Sequence, residues 1–136
     1  MITFKYYTVA VHDLGQAVLD YEARFGMTPT GEKRFNEIGK FDFVPVGYND
    51  QTTCHLIQPR EGEESAVARL MLERVNPFNP HGEGIYLLAY ECEDVDAFCA
   101  QVVENGGKVN HMPGRSNVWV HPTASNFVFM EIFPKS

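Results

Sequence analysis

The 136 residues suffice for one domain of ordinary size or two small, closely packed modules, and 44% hydrophobic residues supply a real core. A net charge of −7, with 11 Lys and Arg against 18 Asp and Glu, argues against a nucleic-acid or anionic-membrane surface. No apolar run approaches the roughly 20 residues of a transmembrane helix, and Met1-Ile2-Thr3-Phe4-Lys5 lacks the build of a signal peptide, which predicts a cytoplasmic protein with no membrane partner.

The chain opens on a strand over Phe4 to Val11, rich in Tyr, Thr and Val. Asp13 then caps a helix whose apolar positions Leu14, Ala17, Val18, Tyr21 and Phe25 form one buried face, with Gly26 as its stop. Strands follow at Phe41–Val46 and Thr52–Gln58, joined by a turn at Gly47-Tyr48-Asn49-Asp50. Glu63 to Arg74 reads as a short helix, and the loop Asn76-Pro77-Phe78-Asn79-Pro80-His81-Gly82 ends it.

A strand over Ile85 to Cys92 comes next, then Asp94 as a cap and an apolar stripe at Val95, Phe98, Cys99 and Val102, stopped by Gly106-Gly107. These positions repeat the first helix at one offset, since 95 − 14 = 81 and 107 − 26 = 81. The chain is therefore read as an internal duplication. The second copy closes with Val109, Val118–His121 and Phe127–Phe133. Two such copies must share a core, so the expected fold is α+β, with two tandem βαβββ modules packed side by side around a central cleft. The boundaries are a single domain over 1–136, with module one at about 4–59, a linker helix and loop at about 60–84, and module two at about 85–134.

In the last strand, alternation puts Glu131 on one face with Phe127, Phe129 and Phe133, and Val128, Met130 and Ile132 on the other. A carboxylate among rings must be paired, metal-bound or raised in pKa, which suggests a pocket wall; a solvated sheet face near a chain end is the competing reading. The same parity turns Thr53 and His55, Trp119 and His121, Tyr6 and Thr8, and Leu87, Ala89 and Glu91 inward. His12, His81 and His111 read as solvated loop residues, and Cys54, Cys92 and Cys99, lacking CxxC spacing, as buried free thiols.

Several segments together carry a family resemblance. They are Ala10-Val11-His12-Asp13-Leu14, Gln58-Pro59 ahead of Glu64-Ser65-Ala66-Val67-Ala68, Gly82-Glu83-Gly84-Ile85, Glu91-Cys92-Glu93-Asp94-Val95, and His121-Pro122 ten residues before Glu131. Over nearly its whole length the chain resembles the vicinal oxygen chelate superfamily (the glyoxalase, bleomycin resistance and dioxygenase fold), nearest to methylmalonyl-CoA epimerase and glyoxalase I. The resemblance implies a divalent metal held by inward residues of the first, fourth, fifth and eighth strands, chelating vicinal oxygens and stabilising an enediolate. Carried over by position, the eighth-strand ligand is Glu131 and the fourth-strand ligand is His55, four residues before Pro59. The first-strand histidine becomes Tyr6 and the fifth-strand histidine becomes Leu87, which cannot ligate. The metal site is thus expected to be degenerate, with no firm cofactor. A retained divalent metal on His55 and Glu131, with His121 or Glu91 substituting, is the alternative.

The expected function is a lyase or isomerase moving a proton next to a carbonyl or acyl group of a small substrate, a thioester being one candidate. Glu131 would transfer the proton, His55 polarise an oxygen and Tyr6 donate to the oxyanion, while Trp119, His121, Phe127, Phe129, Phe133 and Leu87 line the substrate. Two alternatives remain open: a non-catalytic binding or sequestration protein, and a metal-dependent epimerase or glyoxalase. Unpaired sheet edges and the superfamily's habit point to a homodimer.

Overall fold

The computed structural model describes residues 1–136. The first half contains β1 (Ile2–Ala10), α1 (Leu14–Phe25), β2 (Thr28–Pro29), β3 (Arg34–Asn36), β4 (Phe41–Tyr48) and β5 (Gln51–Pro59). Helix α2 (Ala66–Arg74) follows. The second half contains β6 (Gly84–Cys92), α3 (Val95–Glu104), β7 (Val109–His111), β8 (Val118–Val120), a 3-10 turn (Pro122–Ser125) and β9 (Met130–Pro134). The fold is α+β, and strand, helix and strands recur in the same order.

The helix starts repeat as their caps require. Asp13 accepts a hydrogen bond from the Gln16 amide and Asp94 one from the Ala97 amide, each at 3.0 Å. Each carboxylate satisfies a donor that the first helical turn leaves without a carbonyl. Gly26 closes α1 at φ 69°, a left-handed conformation that a Cβ disfavours.

The chain divides into two compact units, Tyr7–Tyr86 and Met1–Tyr6 with Leu87–Ser136. Within Tyr7–Tyr86 the strand order is β2-β4-β5-β1, with β3 also on β4. β2 and β3 both run antiparallel to β4 and behave as one strand interrupted at 30–33. β1 is parallel to β5, which sets Thr8 beside His55. Leu56 and Ile57, both fully buried, point to opposite faces of β5. Leu56 joins Val44, Val46, Cys54 and Leu14 of α1, whereas Ile57 joins Ala10, Phe41 and the α2 residues Val67 and Met71. The two helices therefore cover opposite sheet faces, and α2 lies on the face that carries His55.

The other unit repeats this topology as β6-β9-β8-β7. Helix α3 packs Cys99, with Val95 and Phe98, onto Cys92, Val118, Val120 and Ile132. β6 is parallel to β9 and sets Ala89 beside Glu131. Thr8 and Ala89 are 89 − 8 = 81 positions apart, so His55 and Glu131 are register equivalents in the two modules. All three cysteines are free and buried.

Three local differences from the sequence expectation have physical causes. The last strand begins at Met130 rather than Phe127, because Pro122 opens a 3-10 turn and Asn126 and Phe127 both take positive φ (55° and 63°). α2 begins at Ala66 rather than Glu63, with Ser65 as its cap accepting from the Ala68 amide at 3.1 Å. β4 runs through Tyr48, leaving only Asn49 and Asp50 as the turn. A Cβ on Gly47 would lie 1.9 Å from the Gln51 carbonyl oxygen, so the β4 irregularity at Val46/Gly47 needs the glycine.

Replacing either cap should have a similar cost. Asp13→Ala and Asp94→Ala are each expected to lower stability by about 1 kcal/mol, read from urea unfolding midpoints at unchanged slope.

Candidate active site

Glu131 is the centre of the arrangement in the unit Met1–Tyr6 with Leu87–Ser136. It is the second residue of β9, with Ala89 beside it on β6 and Trp119 opposite it on β8. Side chains of paired residues share a face, so Glu131 points away from the α3 core that takes Ile132. Its carboxylate is held at Oε2 by the Asn117 side-chain amide, which donates at 2.6 Å. Asn117 is itself buried. Burial pushes the Glu131 carboxyl up to about 7, against the opposing pull of the Asn117 hydrogen bond and the charges of Arg115 and Lys5. A carboxyl titrating near neutrality can hold or release a proton at little cost.

Tyr6 adjoins this acid. Its ring centroid lies 6.5 Å from that of Phe133, two residues beyond Glu131. Burial first, and then the Glu131 charge, push the phenol above its ordinary range. Tyr6 therefore stays protonated at neutral pH and keeps a hydroxyl hydrogen to donate. Lys5 reaches the outer side of the same ring, with Nζ 4.9 Å from the Phe133 centroid and 4.0 Å from Glu91. The strand registers keep Leu87, Phe133 and Trp119 on the Glu131 side, and just before β9 the Phe129 carbonyl accepts from the Leu88 amide at 2.8 Å.

In the unit Tyr7–Tyr86, His55 stands beside the buried Thr8 on β1 and opposite Pro45 on β4. Its ring is stacked on Phe43, at 5.1 Å between centroids and 14° between planes. The stack fixes the imidazole against the sheet face and restricts its rotation.

Two sequence-predicted wall residues are placed elsewhere. Phe127 is 71% exposed in the turn before β9 and is not on the Glu131 face, because the strand from which parity was counted has not yet begun. His121 lies just past β8, where its Nδ1 meets Thr123 Oγ1 at 2.7 Å and accepts from the Thr123 amide at 3.3 Å. It caps the 3-10 turn. Conversely, Asn117, Lys5 and Arg115 were not anticipated as part of the Glu131 environment. The one available signal was that Asn117 shares parity with Trp119.

Residues 7–118 match the family described as the Glyoxalase/Bleomycin resistance protein/Dioxygenase superfamily. The chain belongs to this superfamily. No curated protein sequence matches it. Among solved structures it resembles methylmalonyl-CoA epimerase from Mycobacterium tuberculosis, at 22% identity and a TM-score of 0.79 over 98% of this chain and 88% of that one. It also resembles Streptomyces coelicolor methylmalonyl-CoA epimerase in complex with 2-nitronate-propionyl-CoA, at 23% identity and a TM-score of 0.73 over 96% and 92%. A hypothetical protein from Bacillus halodurans C-125 matches at 19% identity and a TM-score of 0.79 over 99% and 95%. At these identities the likeness establishes the fold.

Members of the superfamily commonly bind divalent metals, and the positions that would supply ligands can be tested for chemistry. Glu131 and His55 carry donors. Leu87 carries none, and Tyr6 is a phenol whose ionisation burial opposes. Within neither unit do three or more His, Cys, Asp or Glu side chains gather where they could hold an ion. Two donors and a reluctant phenol do not fit the superfamily's four-ligand arrangement.

The raised carboxyl has a consequence for stability. Its ordinary value is 4.5 and its folded value about 7, so between these the folded chain keeps a proton that the unfolded chain has released. Stability from this group is complete below pH 4.5, falls as pH rises to about 7, and is level above, a loss on the order of 3 kcal/mol. Glu131→Gln preserves an oxygen for Asn117 and carries no charge. It should melt higher than wild type at pH 8, with the advantage gone by about pH 4.5 in thermal unfolding.

Proposed function

We propose that this chain is a small-molecule isomerase or lyase that moves a proton at the carbon next to a carbonyl or acyl group. The observation that supports this reading is the Glu131 carboxyl, desolvated, tuned to about 7 and oriented by Asn117. Such a group suits removal of a weakly acidic C–H proton and its return. Tyr6, kept protonated by its surroundings, would donate a hydrogen bond to the oxygen on which negative charge develops. His55, held against Phe43 in the other unit, would be a further group able to polarise or protonate an oxygen. Trp119, Phe129, Phe133 and Leu87 would supply the apolar walls. We assign no step to a metal, because the ligand positions do not provide its donors.

The substrate in this proposal is a small acyl compound, with a thioester as first choice because structural neighbours are complexed with methylmalonyl-CoA and 2-nitronate-propionyl-CoA. The working form would be a cytoplasmic homodimer. Light scattering at micromolar concentration is expected to give twice the mass of one chain.

The test is solvent-proton exchange at the α-carbon of acyl thioesters, starting with methylmalonyl-CoA, followed by NMR in deuterated buffer. Wild type should exchange the α-proton, with kcat/KM rising with pH through about 7 as Glu131 ionises. Glu131→Gln should lower the rate by about 10²-fold or more. His55→Gln should cost less, since an amide still donates to an oxyanion. A chelator should leave the rate unchanged. Loss of activity on chelation, restored by manganese, nickel or cobalt, would sink the metal-free reading. Binding by wild type and Glu131→Gln alike, with exchange by neither across the thioester series, would favour sequestration.

A further inference from the structure

Helix α2 carries its buried stripe at Val67 and Met71, and helical periodicity brings Arg74 onto the same stripe at the i, i+4, i+7 spacing. Val67 and Met71 pack into the cluster of Ala10, Phe41 and Ile57, which Phe43 and Tyr86 flank. Phe43 is also the ring on which His55 is stacked. Arg74 thus ends an apolar stripe on the sheet face that carries His55. A guanidinium at such a place needs an anion or several acceptors. Here its Nη1 is buried without any hydrogen-bond partner.

Arg74 as a whole is half-buried, and no hydrogen bond neutralises the nitrogen that is turned inward. A Cβ on Gly84 would lie 3.2 Å from Arg74 Nη1, tighter than an ordinary contact, so the glycine leaves room for the guanidinium. The neighbouring carboxylate, Glu83, is committed elsewhere: its Oε2 accepts from the His12 amide at 3.0 Å and meets His12 Nδ1 at 2.8 Å. Placing a cation at the C-terminal turn of α2 suits the helix dipole, but that attraction operates equally on an exposed side chain and does not call for a buried, unbonded nitrogen.

We propose that Arg74 is an anion-recognition residue, receiving a carboxylate or phosphate group of the small molecule bound on the His55 face of this unit. The planar fork of arginine matches either group with two parallel N–H donors. The claim that the bound molecule is a substrate rests on the function proposed above; the anion site does not.

Binding of the bare anions tests it apart from catalysis. Malonate and inorganic phosphate are titrated into wild type, Arg74→Met, Arg74→Lys and Glu131→Gln, with thermal midpoint and calorimetric affinity as readouts. Wild type and Glu131→Gln should both be stabilised by millimolar anion, with affinity in Arg74→Met weaker by about 10-fold or more and in Arg74→Lys weaker by less. A stronger response to malonate assigns the site to a carboxylate, and a stronger response to phosphate assigns it to a phosphoryl group. Equal responses in wild type and Arg74→Met, or none in wild type at about 50 mM of either anion, would overturn the proposal. Should Arg74→Met fail to fold, side-chain nitrogen NMR of arginine-labelled wild type decides, because anion capture must shift the Arg74 guanidinium signals. Loss of proton exchange in Glu131→Gln with anion binding retained separates the two proposals.

Discussion

The hydrogen bond from Asn117 to Glu131 is the interaction that sets the state of the buried carboxyl in one unit. Burying a carboxyl on an apolar sheet face raises the cost of its charge, and one amide donor returns only part of that cost. The result is an acid balanced between two protonation states near neutrality. Had two or three donors converged on Glu131, it would be permanently ionised and a weak base. Had there been none, the carboxyl would titrate higher still. The single buried amide, opposed by burial and assisted at longer range by Arg115 and Lys5, leaves it between these limits.

The same charge constrains its neighbours. Tyr6 is kept protonated by burial and by the negative charge Glu131 acquires, so in the proposed chemistry Glu131 would accept a proton and Tyr6 would donate a hydrogen bond. A metal ion would reverse this logic, drawing protons off both. Replacement of the two expected histidine positions by Tyr6 and Leu87 is consistent with an environment that works through burial and hydrogen bonds. The duplicated topology places a polar side chain at the equivalent register of each module. His55 occupies in Tyr7–Tyr86 the place that Glu131 occupies in its own module, and its stack on Phe43 holds the ring as Asn117 holds the carboxylate.

Helix α2 departs from the repeat. It has no counterpart in the second half, lies on the opposite sheet face from α1, and ends in a guanidinium whose inner nitrogen is buried and unbonded. An unpaired arginine nitrogen on an otherwise apolar stripe carries a desolvation cost that a methionine at the same place would not. Its presence on the face of His55 is the structure's clearest departure from a plain core.

The sequence by itself determined the duplicated architecture, because Asp caps, apolar helical stripes and terminal glycines are local signals that recur at a fixed offset. It also placed Glu131 in the last strand on the face shared with Trp119 and Phe133, since β9 pairs in the register that alternation implies. It misplaced Phe127, because the 3-10 turn that opens at Pro122, capped by His121, breaks the two-residue period on which face assignment depends. Tertiary structure alone decided that Asn117 meets Glu131 across fourteen residues of chain, that Phe43 stacks on His55, and that Glu83 turns to His12 and leaves Arg74 without it. Those pairings depend on how strands and loops come together in three dimensions, where burial sets the value of each charge, and local sequence pattern carries no measure of burial.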